Sequence, residues 1–366
     1  MKKFSIIAVA ACLMLVLTGC GGSSDDGDDS AKDETCPVKI GFVTDMGGID
    51  DRSFNQGSWE GVEKFAKDNK LDKSCYTFLE SKTEADYTTN LSTLADDGND
   101  IVIAAGYLFV DAMTDVASQY PDTKFLIIDG VVEADNVESA LFAAEQPSYL
   151  AGMAAALEAK AQGSNDVGFI GGMEGEVIGT FQAGFEQGAL DANPEVIVHV
   201  DYVGSFDDAG KATTLAAKQY DAGVKVIFHA AGNAGNGVIK EAQTRTEAGD
   251  VVYVVGVDKD QYETGEYGEA DEDGNKKSVI LTSALKRVDV ATYDAVQAVM
   301  DGKFEAGITT YTFKEDGVGY PEENPNLSED IITALDKAAE DISNGDITVW
   351  TEATITNGTS KTPEAK

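Results

Sequence analysis

The sequence predicts an α/β protein made of two lobes, each built on a parallel sheet. Short apolar runs alternate with segments of helical periodicity along most of the 366 residues. Runs such as 38–44, 124–128 and 251–257 are continuous and rich in valine and isoleucine, which is typical of parallel strands buried on both faces. Two sets of such runs favour two lobes over one very wide sheet.

The elements follow each other in a β-α-β order. The predicted strands are 38–44, 74–79, 100–105, 124–128, 137–143, 166–170, 195–203, 224–230, 251–257, 278–285 and 308–313. The predicted helices are 53–69, 84–97, 109–120, 147–162, 175–191, 208–221, 234–247, 289–301 and 328–343. Ser53 and Gln56 form a Ser-x-x-Gln pattern, which predicts a capping box at the start of the first helix.

The first residues predict a signal peptide. Lys2 and Lys3 precede an apolar stretch that ends at Leu17-Thr18-Gly19-Cys20. This ending looks like a bacterial lipobox, so we expect residues 1–19 to be a lipoprotein signal peptide and Cys20 to carry the lipid; the alternative is a plain signal peptide with an incidental cysteine. We expect residues 20–36 to form a flexible acidic tether.

The composition excludes several classes of binding partner and cofactor. The formal net charge of −38 disfavours nucleic acid and anionic lipid, so we expect a membrane link through the lipid anchor only. Cys36 and Cys75 each precede a predicted strand, and outside the membrane they can form a disulfide or stay as two unpaired thiols. His199 and His229 lie in separate strands without metal-ligand spacing, so no metal, cofactor or enzymatic activity is expected.

Candidate ligand-binding residues follow the predicted strands. Asp45, Phe54 and Asn55 lie between the first strand and the first helix, where small ligands bind in open α/β sheets. Further residues stand at the ends of later strands: Asp129, Phe206, Gly232, Asp258 and Lys286. Asp129 could instead be a turn residue, Asp258 a strand cap and Lys286 a surface cation.

The chemistry of this set suits a nucleoside. Phe54 and Phe206, one from each half, can sandwich a planar ring. The Asp258 carboxylate can accept from two neighbouring hydroxyls, as on a ribose, and Lys286 can donate to a hydroxyl. Asp45, Asn55 or Asp129 could read donors and acceptors on a base edge.

At these residues the chain resembles the basic membrane protein family of substrate-binding lipoproteins, of the purine nucleoside receptor type. The matching segments include 41–61 (GFVTDMGGIDDRSFNQGSWEG), 167–189 (VGFIGGMEGEVIGTFQAGFEQGA) and 280–296 (ILTSALKRVDVATYDAV), and together they cover most of 38–302. The resemblance implies a type I periplasmic-binding-protein fold, with two doubly wound lobes joined by three crossovers. It also implies a binding protein, by default a monomer, that delivers purine nucleosides to an ABC importer permease with a separate ATPase.

Carried over by position, the resemblance makes Phe54 and Phe206 the stacking residues and Asp258 and Lys286 the ribose pair. Asp45, Asn55, Asp129 and Gly232 would line the cleft; the acid near the loop start could be Asp45 or Asp51, and we favour Asp45. The expected lobes are 37–144 plus 259–306, and 145–258 plus 307–350, followed by a disordered tail over 351–366. Where the family often has phenylalanine, this chain has Tyr107.

Other functions remain open at this point. The same fold could hold a sugar or a signalling furanose, because sugar sites also use aromatic faces and carboxylates. The protein could also act as a sensor that presents its ligand to a membrane receptor. An enzyme is disfavoured, since the glycines of 171–175 do not form G-x-G-x-x-G and no G-x-S-x-G or P-loop occurs.

Overall fold

The computed structural model describes residues 36–271 and 273–366. The predicted signal peptide, the lipid at Cys20 and nearly all of the predicted tether lie outside the described residues. Within them, no helix has both the length and the apolar character needed to cross a bilayer.

Strands and helices alternate as the sequence predicts. The strands are β1 (Ile40–Thr44), β2 (Tyr76–Glu80), β3 (Ile101–Ala105), β4 (Lys124–Ile128), β5 (Val137–Phe142), β6 (Asp166–Gly171), β7 (Ile197–Tyr202), β8 (Val226–Ala230), β9 (Tyr253–Asp258), β10 (Glu266–Tyr267), β11 (Lys277–Ser278), β12 (Ile280–Lys286), β13 (Gly307–Tyr311), β14 (Val318–Gly319) and β15 (Ser360–Lys361). The helices are α1 (Phe54–Asp68), α2 (Tyr87–Asp96), α3 (Val110–Gln119), α4 (Glu145–Ala161), α5 (Glu176–Ala192), α6 (Ala209–Asp221), α7 (Gly235–Glu247), α8 (Val288–Met300) and α9 (Glu329–Asn344).

Two sheets organise these elements into two lobes. The first lobe contains a parallel sheet in the order β13-β5-β4-β3-β1-β2, covered by α1 and α8 on one face and α2 and α3 on the other. The sheet of the second lobe has the order β14-β12-β9-β8-β6-β7-β15 and is parallel except at its two edge strands. Helices α4, α5 and α9 cover one of its faces, and α6 and α7 the other.

The chain crosses between the lobes three times: after β5, after β12 and after β13. The predicted fold class, with two doubly wound lobes and three crossovers, is therefore confirmed. The continuous apolar runs are buried on both faces because helices cover both sides of each sheet; every residue of β1, β3 and β8 is buried.

The observed lobe boundaries differ from the expected ones at two strands. Residues 259–306 were expected in the first lobe, but β12 pairs with β9 in the sheet of the second lobe. Residues 307–350 were expected in the second lobe, but β13 pairs with β5 in the sheet of the first. Local sequence does not distinguish these memberships, because it does not specify the strand with which each one pairs.

The predicted disorder of residues 351–366 is wrong. Strand β15 pairs antiparallel with β7, and Ile355 is buried. The buried carboxylate of Glu186 accepts hydrogen bonds from the Thr354 nitrogen (2.6 Å), the Thr354 hydroxyl (2.8 Å) and the Ile355 nitrogen (3.2 Å). The polar composition of this segment gave no sign of its contacts with β7 and Glu186. These contacts make the segment part of the second lobe.

Of the two alternatives for the cysteines, the structure has the disulfide. Cys36 and Cys75 are bonded, with their Cα atoms 5.5 Å apart. The bridge lies just ahead of two neighbouring parallel strands, whose pairing begins at Ile40 and Tyr76. It therefore ties the two strand starts together at the edge of the first sheet.

Candidate functional site

The candidate site is a cleft between the lobes, at the carboxyl ends of the parallel strands. It encloses a cavity with a volume of about 60 Å³. All eight sequence-predicted site residues line this cleft: Asp45, Phe54, Asn55, Asp129, Phe206, Gly232, Asp258 and Lys286. The structure thus brings the predicted set together, because each strand ends at this side of its sheet.

A buried polar cluster shapes the cleft where β1 leads into α1. The Asn55 amide donates to Asp45 Oδ1 (2.7 Å) and to Asp51 Oδ2 (2.9 Å), and its oxygen accepts from the Asp45 nitrogen (3.1 Å). No donor from the described residues reaches Asp45 Oδ2. Asp45 therefore keeps one oxygen available to a ligand.

The predicted capping box at Ser53 and Gln56 is wrong. Asp51 caps α1 instead, since its carboxylate accepts from the backbone nitrogens of Ser53 (2.9 Å), Asn55 (2.8 Å) and Gln56 (3.0 Å). Ser53 makes no side-chain cap bond; its hydroxyl donates to Asp258 Oδ2 at 2.5 Å, across the lobes. Both Asp45 and Asp51 line the cleft, but the Asp51 oxygens are engaged by the helix.

Lys286 is a buried cation surrounded by aromatic rings. Its side chain is 2% exposed and forms an ion pair with Asp129. The ammonium lies 4.7 Å from the centre of the Phe54 ring, 5.3 Å from that of Phe142 and 5.5 Å from that of Phe181. Faces of aromatic rings attract a cation, so these contacts and Asp129 hold the ammonium at the cleft wall.

Both lobes contribute an aromatic residue to the cleft. Phe54 begins α1 and packs against the core of the first lobe, whereas Phe206 follows β7 and packs against the second. Tyr107 approaches Phe206 edge-on, with the ring centres 6.3 Å apart. Gly232, whose φ is +54°, lies close to Phe206: a Cβ there would stand 3.6 Å from the Phe206 Cβ.

The backbone is unusual at two of the acids. Asp129 has φ +61° and Asp258 has φ +66°, which places both in the left-handed region at the ends of β4 and β9. Aspartate is among the residues that tolerate this region, at a cost on the order of 1 kcal/mol or more. Both of these strand-end acids line the cleft.

Burial raises the pKa of three cleft carboxyls, those of Asp45, Asp51 and Asp258. It brings the pKa of Asp45 to about 6, despite the bonds from Asn55 and Gly47. It likewise brings the pKa of Asp258 to about 6, although the Lys286 charge and the Ser53 hydroxyl act in the opposite direction. Burial also raises the pKa of Asp51 and, beneath the C-terminal segment, that of Glu186.

The raised pKa values of Asp45 and Asp258 predict that each of these carboxyls contributes more to the stability of the protein at pH 5 than at pH 7. A carboxyl whose pKa is higher in the folded than in the unfolded state binds more protons when folded, so acidification through that window favours folding. The buried His229, whose pKa is lowered to about 4, acts in the opposite direction, so a comparison with Asp45→Asn isolates the effect of one carboxyl. We expect the free energy of unfolding of the wild type, measured in urea, to rise between pH 7 and pH 5 by about 1 kcal/mol relative to that of Asp45→Asn. The same difference between the two proteins at both pH values would contradict the prediction.

The lobes are bonded to each other beside the cleft. The Gln261 amide donates to the Arg52 carbonyl (2.9 Å), the Asn236 amide donates to the Asp51 carbonyl (3.1 Å), and Lys259 pairs with Glu60 (2.6 Å). With the Ser53–Asp258 bond, these contacts connect the α1 end of the first lobe to the second. The conformation is therefore one with the lobes in direct contact.

Sequence reasoning missed several lining residues. Val177, Ile178 and Phe181 come from the start of α5, and Gly106 and Leu108 follow β3. In the sequence, Phe181 belongs to an apolar helical stripe and looks like core; its side chain is indeed almost fully buried. The available signal was the position of α5, which begins after the carboxyl end of β6 like the helices of the predicted site residues.

The histidines have structural partners. His229 is buried behind the cleft, with Nε2 3.1 Å from Gln261 Oε1, and burial lowers its pKa to about 4. His199 Nε2 lies 2.8 Å from Asp166 Oδ1 of the neighbouring strand β6. Among the described residues, no group of three or more histidine, cysteine or acidic side chains could hold a metal ion.

Comparisons with known proteins agree with this architecture. The family described as "ABC transporter substrate-binding protein PnrA-like" matches residues 38–351. The chain is 41% identical to the "CD4+ T-cell-stimulating antigen" of Listeria innocua, over 92% of this chain and 94% of the relative. It is 39% identical to the "ABC transporter nucleoside-binding protein BmpA" of Lactococcus lactis subsp. cremoris, over 95% and 99%.

A solved structure shows the same fold. The ABC transporter solute-binding protein of Aeropyrum pernix K1 superposes with a TM-score of 0.75 at 25% identity, covering 86% of this chain and 94% of that one. The matching family consists of substrate-binding proteins and not of enzymes, as predicted for this chain. The two-lobed chain with its interlobe cleft belongs to the PnrA-like family of ABC transporter substrate-binding proteins.

Proposed function

We propose that this substrate-binding protein captures a nucleoside, preferably a purine nucleoside, between its lobes. The observation that carries the proposal is the placement of Phe54 and Phe206, from opposite lobes, in one cleft with Asp258 and Lys286. Two aromatic faces suit a flat heterocycle, and an acid and an ammonium suit the hydroxyls of a ribose. One relative bears the name of a nucleoside-binding protein, which supports the same ligand class.

The charge of the cleft favours a neutral ligand. Four acids line it, Asp45, Asp51, Asp129 and Asp258, and of the residues that the structure describes Lys286 is the one cation in this lining. Lys286 is already paired with Asp129. A phosphate group would meet carboxylates without a compensating charge, and such like-charge contacts cost several kcal/mol. A nucleoside fits this balance, whereas a nucleotide does not.

Calorimetry with a small set of ligands tests the proposal. We expect adenosine, guanosine and inosine to bind, ribose to bind far more weakly, and adenosine monophosphate to bind more than about 100-fold more weakly than adenosine. Saturation by ribose alone would replace the nucleoside with a sugar. Mass spectrometry of ligand released from natively purified protein identifies the physiological occupant.

Phe206→Ala should weaken adenosine binding by about 1–2 kcal/mol, because one of the two ring faces is lost. The change should leave thermal unfolding nearly unchanged, since Phe206 is only partly buried at the edge of its core. Phe313→Ala, another partly buried phenylalanine beside that core, is the matched control and should not alter binding. Unchanged affinity in calorimetry would remove Phe206 from the site.

We propose that the ligand favours lobe contact and that the closed protein delivers it to an ABC importer permease, whose ATP is hydrolysed by a separate chain. A ligand that touches both lobes stabilises the closed arrangement through those contacts. We further propose that a lipid on Cys20 holds the protein, as a monomer, on the extracytoplasmic face of the cell membrane. Labelling with a fatty-acid analogue, with Cys20→Ser as control, tests the anchor.

A further inference from the structure

A second cavity adjoins the cleft. Its volume is about 430 Å³. Its walls are largely apolar and come from both lobes: Val110, Val131, Leu141 and Phe142 from the first, Val177 and Thr180 from the second. The proposed nucleoside contacts do not account for this space.

The two cavities share a wall. Tyr107, Asp129 and Val177 line both of them. Among the described residues, the Tyr107 hydroxyl has no hydrogen-bond partner, so only packing, such as the edge contact with Phe206, holds this ring. A ligand group that leaves the first cavity past Tyr107 enters the second one directly.

The charges of the second cavity limit what it can hold. Its ionisable lining groups are Asp129, Glu176 and the Tyr107 phenol, and within 36–271 and 273–366 no lysine or arginine lines it. Asp129 is already paired with Lys286 on the side of the first cavity. An anionic group would meet only acids here, whereas an uncharged apolar group would gain contact with the valine, leucine and phenylalanine side chains.

We propose that the second cavity is a subsite for an uncharged apolar substituent of the nucleoside, so that the protein also binds alkylated nucleosides. This inference rests on the proposed nucleoside function. It adds a ligand class, because a site closed around an unsubstituted nucleoside would reject such groups by steric overlap. The substituent would pass Tyr107, which lies between the two cavities.

The test compares adenosine with two extended analogues, 5′-butylthio-5′-deoxyadenosine and N6-butyladenosine, in calorimetric titrations of the full protein. The two analogues carry the butyl group at the ribose end and at the base end, so comparing them shows which end of the nucleoside faces the subsite. We expect at least one to bind within about threefold of adenosine or more tightly, because burial of its alkyl chain offsets the cost of ordering it.

Thr180→Trp fills the second cavity from a wall that the first cavity does not share. We expect it to weaken the extended analogue by more than about tenfold and to change adenosine binding by less than about twofold. Thr244→Trp is the matched control, because the hydroxyls of Thr180 and Thr244 both bond the carbonyl four residues earlier at 2.9 Å. Thermal unfolding verifies that both variants fold.

The outcomes separate the subsite from the proposed function. Adenosine binding with rejection of both analogues would overturn the subsite and leave the nucleoside function standing. Equal weakening of adenosine and the analogue by Thr180→Trp, or no weakening of either, would also overturn it. If the wild-type protein binds no nucleoside at all, the proposed function fails and the subsite fails with it.

Discussion

Lys286→Met is expected to lower the free energy of unfolding by about 3–5 kcal/mol, since it leaves the Asp129 carboxylate without its buried partner. The cost comes from the uncompensated charge rather than from lost packing, because methionine replaces the aliphatic stem between the three aromatic rings. Urea unfolding at pH 7 measures the effect.

The double variant Lys286→Met/Asp129→Asn separates charge from packing. It should recover a substantial part of the lost stability, because the amide carries no charge to desolvate. Lys64→Met is the control: it breaks the exposed Lys64–Asp68 pair and should change stability little. If the single variant unfolds like the wild type, Lys286 and Asp129 are not coupled in the way that the structure shows.

Asp258→Asn is expected to weaken adenosine binding by about 2–4 kcal/mol, because one carboxylate oxygen becomes an amide NH2, which cannot accept from a ribose hydroxyl, and the other oxygen loses its charge. The fold should tolerate the change: asparagine is isosteric, and its oxygen can still accept from Ser53. Calorimetry with adenosine and free adenine checks this, and adenine affinity should change little.

A ligand lacking the hydroxyls provides the control. Wild type and Asp258→Asn should bind 2′,3′-dideoxyadenosine with similar affinity, since this ligand lacks the two ribose hydroxyls that residue 258 is proposed to bind. Asp207→Asn replaces an acid beside the cleft that does not line it and should leave adenosine binding nearly unchanged. Equal losses for adenosine and adenine in Asp258→Asn would refute the assignment of Asp258 to the ribose.

The strand-end residues of the site could be predicted because strand ends are locally encoded. The apolar run of β4 stops at Ile128, which places Asp129 at the carboxyl end of that strand. Asp258 likewise stands at the carboxyl end of the valine-rich β9. Parallel topology then puts these ends on one side. The sequence thus predicted the fold class and the position of the cleft.

Contacts decided by tertiary structure could not be predicted in this way. Ser53 looks like a helix cap, yet it bonds Asp258, which lies 205 positions away, and Asp51 takes over the cap. Strands β12 and β13 join the sheets opposite to the expected ones because pairing partners, not local patterns, determine membership. The last residues look polar and loose, but a buried glutamate fixes them.

The pairing of β15 with β7 fixes the C-terminal segment to the second lobe, whereas the Cys36–Cys75 bridge fixes the region just before β1 to the first. Fluorophores near Ser360 and near Pro37 would consequently report on different rigid bodies. Energy transfer between them would follow domain motion during ligand capture in real time, without any label inside the cleft.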